Sequence, residues 1–531
     1  MLNLFKKTLL LLTLLSLMAC QSTTQVSPTP ENERPNIVIF LVDDMGLMDT
    51  SVPFITDKHG NAQKWPLNEW YRTPNMEELA RQGTRFSQFY AQSVCSPTRA
   101  SLLTGQNATR HHTTTWIMPT QNNRGQYGPK NWNWKGLTNE SITFPKLLQD
   151  SGYATIHIGK GHFGPLNSEG ADPTNAGFDV NIAGGAWGRP KSYYGRDHYG
   201  NHPKYQSEDK QITHNIPHLK AYYQNDVYLS EALTQEAKKQ IAESVQAQKP
   251  FLLFLSHYAV HAPFHSDPRF AGNYISHEKP QKARAFATLV EGIDKSLGDI
   301  VSQLKLYGVA KNTLILFMGD NGSDAPLGGN NGIASSAPLR GKKGTSWEGG
   351  MRTPLIAAWA KVEKNHPLQQ RFPIRAGAIN TQIASVLDVF PTVLAASSVD
   401  KPASHTIDGV NLASQLDEPN AGTSTKEFLM HFPHEHRHSY FTVFRQDDWK
   451  LIYQYNPDNK REIKRYQLFN LSEDPSESHN LSASHHHRLV NMMALMNTRL
   501  KEQGAQFPVE KSGKAILPEM PVSNVTLSGS Q

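Results

Sequence analysis

Four short clusters of polar residues could do chemistry together. Asp43-Asp44, Lys160-Gly161-His162, the stretch from His257 to His261, and Asp320-Asn321-Gly322 each follow directly on an apolar run. Brought to one place, three carboxylates and an amide cannot all stay charged without compensation. Hard oxygen donors of this kind suit Ca2+ or Mg2+. Lys160, His162 and His261 would add positive or proton-donating groups around the same point. A divalent ion ringed by basic residues is an anion site, and a sulfate or phosphate ester is its natural guest. Any one Asp, Asn or Gly at a strand end is a turn former; the recurrence at four run ends is what points to metal-assisted hydrolysis of an anionic ester.

Cys95 is a fifth candidate. The chain has two cysteines, and the other, Cys20, closes an apolar leader, so Cys95 has no disulfide partner. In "CSPTRASLLTG", Pro97 suits a helix start and Gly105 a helix stop. Cys95 would then sit among the free N–H groups of a helix N-terminus, with Arg99 one turn along the same face. A thiolate nucleophile and a buried inert cysteine both fit these residues.

The elements that must position these groups are apolar runs broken by helical patterns. "NIVIFLV" (Asn36–Val42), "YATIHIG" (Tyr153–Gly159), "PFLLFLS" (Pro250–Ser256) and "TLILFMG" (Thr313–Gly319) are continuous rather than alternating, as in a parallel sheet covered on both faces. Helical patterns after Asn75, from Thr143 and from Ala283 separate them. The alternation predicts a doubly wound α/β fold, whose ligands bind beyond the carboxyl ends of the strands.

Residues 426–510 read differently. "SYFTVFRQDDWKLIYQY" predicts two strands and "YQLFNL" a third, with "SASHHHRLVNMMALMNTRLKEQG" as an amphipathic helix covering a small antiparallel sheet. The histidine triplet His485–His487 falls on the solvated face of that helix. "HFPHEHRHS" (His431–Ser439) reads as a surface or substrate-facing loop, its ligand spacing being poor for a metal. Trp116 and "NWNWKG" (Asn131–Gly136) offer flat aromatic faces to core or to sugar rings.

The amino-terminal segment has the form of an export signal. Lys6 and Lys7 precede an apolar run of about a dozen residues, too short to span a membrane. Its close, "LMAC", resembles a bacterial lipobox, which implies lipid on Cys20, export, and anchoring to the bacterial envelope. The expected organisation is therefore a leader over 1–20, a flexible tether over 21–34, a catalytic domain over 35–425, a C-terminal α+β subdomain over 426–510 and a tail over 511–531. The formal net charge of +6 is spread along the chain rather than clustered, which argues against a nucleic-acid partner.

"CSPTRASLLTG" resembles the Cys-x-Pro-x-Arg signature of type I sulfatases, and "GYATIHIGKGH" (Gly152–His162) resembles their second signature. "VDDMG", "HAPF", "GDNGS", "LRGKKGTSWEGGMRTP" and "YQLFNLSEDPSESHNL" extend the likeness in the family's order over nearly the whole chain after the leader. The resemblance implies an alkaline phosphatase-like fold: a large mixed, mostly parallel sheet with helices on both faces, plus the small C-terminal sheet. It implies conversion of Cys95 to formylglycine by a formylglycine-generating enzyme, and a hydrated aldehyde as nucleophile. One Ca2+ would be held by Asp43, Asp44, Asp320, Asn321 and an oxygen of residue 95. Arg99 would stabilise the hydrate, and Lys160, His261 and Lys343 would bind sulfate oxygens. Lys343 is preferred to Lys342 because it lies five residues before Glu348 of "EGG". His261, with Lys343, would protonate the leaving alkoxide, and His162 would take the proton that releases sulfate. The expected substrate is a sulfated oligo- or polysaccharide, such as carrageenan, ulvan or a host glycosaminoglycan. A phosphonate monoester or phosphodiester hydrolase, or a silent glycan-binding lipoprotein, are the competing readings.

Overall fold

The alternation of side chains along one strand sets the layering of the molecule. In a computed structural model, which describes residues 34–205, 214–275, 279–328, 335–421, 427–455 and 464–522, β1 spans Asn36–Val42 and is wholly buried. Val38, Phe40 and Val42 face one core, together with the helices Pro74–Gln82, Leu229–Gln246 and Gln281–Leu306. Ile37, Ile39 and Leu41 face the other, with the helices Cys95–Thr104, Phe144–Asp150 and Val389–Ser397. A strand that is apolar at every position therefore reports helices on both sides.

Seven further strands complete the large sheet: β2 (Thr84–Tyr90), β3 (Ala154–Gly159), β4 (Val180–Ile182), β5 (Phe251–His257), β6 (Thr313–Gly319), β7 (Leu355–Trp359) and β8 (Ala378–Ser385). Their order is β4-β3-β5-β1-β6-β7-β2-β8. The four apolar runs read from the sequence form its contiguous parallel centre, β3-β5-β1-β6. Only β7 runs antiparallel to its neighbours β6 and β2. Strands β2, β4, β7 and β8 and the helix Leu229–Gln246 were not anticipated from the sequence.

The second sheet is antiparallel, in the order β12-β11-β10-β9, with β9 at Glu427–Phe432, β10 at Phe441–Gln446, β11 at Trp449–Gln454 and β12 at Tyr466–Asn470. It has one strand more than expected, because His431 belongs to β9 rather than to a loop. One face packs against Leu489, Met492, Met493, Met496 and Leu500 of the helix His486–Glu502. The other packs against Tyr90, Val94, Trp347 and Met351 of the large-sheet region. His485 and His487 are exposed.

A fully buried ion network stitches this second contact. Lys450 Nζ lies 3.0 Å from Glu348 Oε1 and 2.7 Å from Glu477 Oε1. Glu477 Oε2 accepts from the Glu348 N–H at 2.7 Å, and Tyr90 Oη donates to Glu348 Oε2 at 2.7 Å. Burial opposes charge on Glu348, but Lys450 and Arg445 hold its pKa down at about 2. Among the described residues, no helix is long and apolar enough to cross a membrane. The leader, Cys20 and nearly all of the tether lie outside the described residues.

Candidate active site

Carboxyl ends of the central strands deliver the acidic cluster. Asp43 and Asp44 follow β1, and Asp320 and Asn321 follow its neighbour β6. Asp44 takes a left-handed backbone (φ 64°), and its N–H donates to Asp320 Oδ1 at 3.0 Å. Oxygens of Asp43, Asp44 and Asp320 lie within 4.8 Å of one another, all three residues buried. Each carboxylate has its own cation. Lys160 Nζ is 2.7 Å from Asp43 Oδ2, Lys343 Nζ is 2.6 Å from Asp44 Oδ1, and Arg99 Nη2 is 2.8 Å from Asp320 Oδ2. The core of the cluster is thus close to charge-neutral as it stands.

Three oxygens in it remain unsatisfied. Asp43 Oδ1, Asp44 Oδ2 and Asn321 Oδ1 are buried without a hydrogen-bond partner among the described residues. Orphaned buried acceptors are costly, and a hard cation is the partner that satisfies several carboxylate and amide oxygens together. The donor set therefore fits a Ca2+-type ion. Burial pushes Asp43 upward, with Lys160 opposing it; Asp44, also buried, is held below the usual carboxylate range by His261 and Lys343.

Cys95 opens the helix Cys95–Thr104, every residue of which is buried, and Gly105 ends it in the left-handed region (φ 68°). Arg99, one turn on, is locked from several sides. Its Nε donates to Asp320 Oδ2 at 2.9 Å, and its Nη1 to the Lys160 carbonyl and to Ser256 Oγ, both at 2.8 Å. Ser256, in β5 beside His257, was not singled out in the sequence; a polar residue near the carboxyl end of an apolar run was its only signal.

His162 faces the cysteine, with Nδ1 3.3 Å from Sγ. Its Nε2 donates to the Ile117 carbonyl at 2.7 Å, which assigns the ring proton to Nε2 and leaves Nδ1 as the basic atom toward residue 95. Burial, then the positive charge of Lys160, pushes the imidazole well below its ordinary pKa, so it is neutral. Gly188 packs flush on this ring: a Cβ there would stand 2.6 Å from His162 Cε1. On the other side of the cluster, His261 donates from Nδ1 to the Ala262 carbonyl at 2.8 Å and sets Nε2 3.6 Å from Asp44 Oδ2. Burial brings its pKa down to about 3.

Cys95, His162, His261 and Lys343 open into one cleft of about 320 Å³, which is also lined by Trp116, Arg189, His214, Asp324, His436 and Arg437. Of the paired lysines, Lys343 reaches Asp44, whereas Lys342 lies 3.6 Å from Asp324. The histidine-rich segment divides. His431 bonds Thr442 Oγ1 and the Gln506 carbonyl, and His434 bonds Thr114 Oγ1 and the Arg124 carbonyl, so both serve packing. His436 and Arg437 reach the cleft, and Arg437 forms a two-pronged pair with Asp324 at 2.6 and 2.8 Å. Trp132 is core, with its Nε1 on Asn122, while Trp116 presents its side chain to the cleft.

A mostly parallel sheet with a carboxylate-rich cation site beyond its carboxyl edge defines the alkaline phosphatase-like class of hydrolase folds. The chain belongs to the sulfatase family, whose profile, "Sulfatase", matches residues 35–399; a second, "N-sulphoglucosamine sulphohydrolase, C-terminal", matches residues 343–506. It is 31% identical to the N-acetylgalactosamine-6-sulfatase of Mus musculus over 396 residues, covering 72% of this chain and 66% of that protein. The chain thus spans just under two thirds of the length of that relative. A sulfatase of Formosa agariphila is 28% identical over 530 residues, with 88% of each chain covered. Among solved structures, Ps i-CgsB in complex with k-i-k-neocarrahexaose superposes with a TM-score of 0.69 at 25% identity, covering 91% of this chain and 96% of that one.

Proposed function

We propose that this protein is an exported sulfatase that hydrolyses sulfate esters of sulfated carbohydrates. The observation that carries the reading is the junction of Cys95, a neutral His162 3.3 Å away, and a buried carboxylate cluster with orphaned oxygens, in one cleft of a sulfatase-family chain. Asp43, Asp44, Asp320 and Asn321 would hold Ca2+, with an oxygen of residue 95. Because three cations already balance three carboxylates, a divalent ion would leave the site about two charges positive, which suits a sulfate ester. When bound, that ion supplies positive charge beside the sulfuryl oxygens. Residue 95, matured to formylglycine, supplies a geminal diol, one hydroxyl for attack on sulfur and a second for release of sulfate without waiting for an external water.

The chain's own residues do the rest. Arg99, immobilised by Asp320, Ser256 and the Lys160 carbonyl, directs its charge at residue 95. His162 takes the proton at residue 95 through Nδ1, a role its Ile117 bond pre-sets. Lys160 and Lys343 bring charge to the sulfuryl group, and Lys343, whose ammonium carries the proton, delivers one to the departing sugar oxygen; His261 shares that role once its Nε2 is protonated in the complex with the anionic ester. The leader and Cys20 support a lipid-anchored enzyme of a bacterial envelope. The neighbour solved with k-i-k-neocarrahexaose favours a carrageenan-like polysaccharide.

Desulfation of a panel of defined sulfated oligosaccharides, read by mass spectrometry and NMR, tests this reading, with peptide mass analysis confirming the aldehyde at residue 95. Faster turnover of an aryl phosphonate than of an aryl sulfate would instead favour the phosphonate hydrolase reading. A matured protein inert on every sulfate ester would favour the silent glycan-binding one.

A further inference from the structure

The cations of the cleft differ in whether a carboxylate accompanies them. Lys160, Lys343 and Arg99 each have one, and Arg437 and Lys342 share Asp324. Arg189 lines the same cleft, is exposed, and forms no ion pair with any described residue. A lone guanidinium in a ligand cleft is the donor that best fits a carboxylate or sulfate bidentately.

Its position is tied to the reaction centre through the backbone. Arg189 follows Gly188, which packs against His162, whose Nδ1 lies 3.3 Å from Cys95 Sγ. One Cα–Cα step of about 3.8 Å therefore separates Arg189 from a residue touching the proposed base. His214 stands beside it. Its ring lies edge-on to Trp187 at 5.0 Å, and its Nδ1 is buried without a partner among the described residues. Arg189 and Cys95 line one cleft of about 320 Å³, so a saccharide seated at residue 95 can present a second charge to Arg189.

We propose that Arg189 binds a second anionic substituent of the glycan, a further sulfate ester or a uronate carboxylate. This rests on the sulfatase reading above and narrows it to polyanionic glycans.

The test uses four substrates with aldehyde-bearing full-length protein. They are 4-methylumbelliferyl sulfate, a monosulfated neutral disaccharide, the same disaccharide with a second sulfate, and its uronate counterpart. The readout is the ratio of kcat/KM for each doubly charged disaccharide to that for the monosulfated one. Wild type should favour at least one doubly charged substrate by about tenfold or more, and Arg189→Ala should lower that ratio by about 10- to 100-fold, as expected for a lost charge-assisted hydrogen bond. Arg189→Lys should keep part of it, and salt should erode it. Which doubly charged substrate is preferred identifies the group bound. A wild-type ratio near one, or an unchanged ratio in Arg189→Ala with a wild-type melting temperature, overturns the subsite alone. Should the alanine variant fail to fold, an unaltered salt-insensitive ratio in wild type has the same force. No turnover of any of the four overturns the sulfatase reading and this proposal with it.

Discussion

Removing divalent cations and titrating Ca2+ back tests the acidic cluster most directly, because its geometry sets both the size and the limits of the response. Two unit charges 4.8 Å apart repel by about 3.5 kcal/mol at an effective dielectric constant of ~20. Lys160, Lys343 and Arg99, each within 2.6–2.8 Å of a carboxylate, offset that repulsion, so the metal-free protein should stay folded. What remains is three orphaned oxygens, each costing about 1–3 kcal/mol. A cation that satisfies them stabilises by about 4 kcal/mol at a thousandfold excess over its Kd. Domains of 150–250 residues gain about 2–4 °C per kcal/mol. Scaled to a chain of this size, Ca2+ should raise the melting temperature by roughly 4–8 °C in differential scanning fluorimetry.

Two variants sharpen the test. Asn321→Ala deletes one orphaned oxygen and should move the Ca2+ midpoint at least about tenfold higher, the scale of one lost ligand. Lys343→Met removes the ammonium that competes for Asp44 Oδ1, so it should tighten Ca2+ binding while activity collapses. If neither Ca2+, Mg2+ nor Mn2+ shifts the melting temperature of chelator-treated wild type, the orphaned oxygens are satisfied in another way and the cation argument fails.

The other predictions concern the nucleophile, the base and the buried network. Cys95→Ala should abolish turnover and Cys95→Ser should stop after about one equivalent, retaining a sulfuryl group that intact mass detects; sustained multiple turnover by the serine variant would refute the diol mechanism. His162→Ala should lower kcat by about 10²–10⁴, and a loss under about tenfold would mean that Nδ1 is not the working base. Lys450→Met should cost about 3–5 kcal/mol near neutral pH by leaving buried carboxylates without their cation, which denaturant melts would show. Its pH dependence has a definite sign. Burial already raises Glu477 to a pKa of about 7, and losing Lys450 raises it further. A carboxyl whose folded pKa is raised contributes stability at low pH that is lost as pH rises through that value. The deficit relative to wild type should therefore shrink between pH 8 and 6, and a constant deficit would point to lost packing instead.

The parts of this molecule legible in the sequence are those whose physics is local or doubly buried. Asn36–Val42 and Thr313–Gly319 declare themselves because strands covered on both faces must be apolar at every position. The polar residues at their ends then stand out as the sheet's carboxyl edge. The flanking strands carry no such mark. "TRFSQFY" of β2 and "AINTQIAS" of β8 mix Arg, Gln and Thr into half-buried positions and bury an Asn, and β7 has five residues. The reversal of β7 depends on the chain returning past the site between Asn321 and Leu355, and no window of sequence encodes that. The same division runs through the cleft. Cys95, Arg99, Lys160, His162 and Asp320 sit at strand ends or a helix start, where chemistry and secondary structure coincide. Arg189 and His214 lie in a long connection between β4 and the helix Leu229–Gln246, where neither periodicity nor motif marks them. Arg189 can be found only by asking which cation of the folded cleft has no carboxylate beside it among the described residues, and His214 by its place next to it in the cleft lining. That is the expected place for specificity, since under the proposed function the residues that would break the sulfate ester answer to one leaving chemistry while those that would choose the sugar answer to each glycan separately.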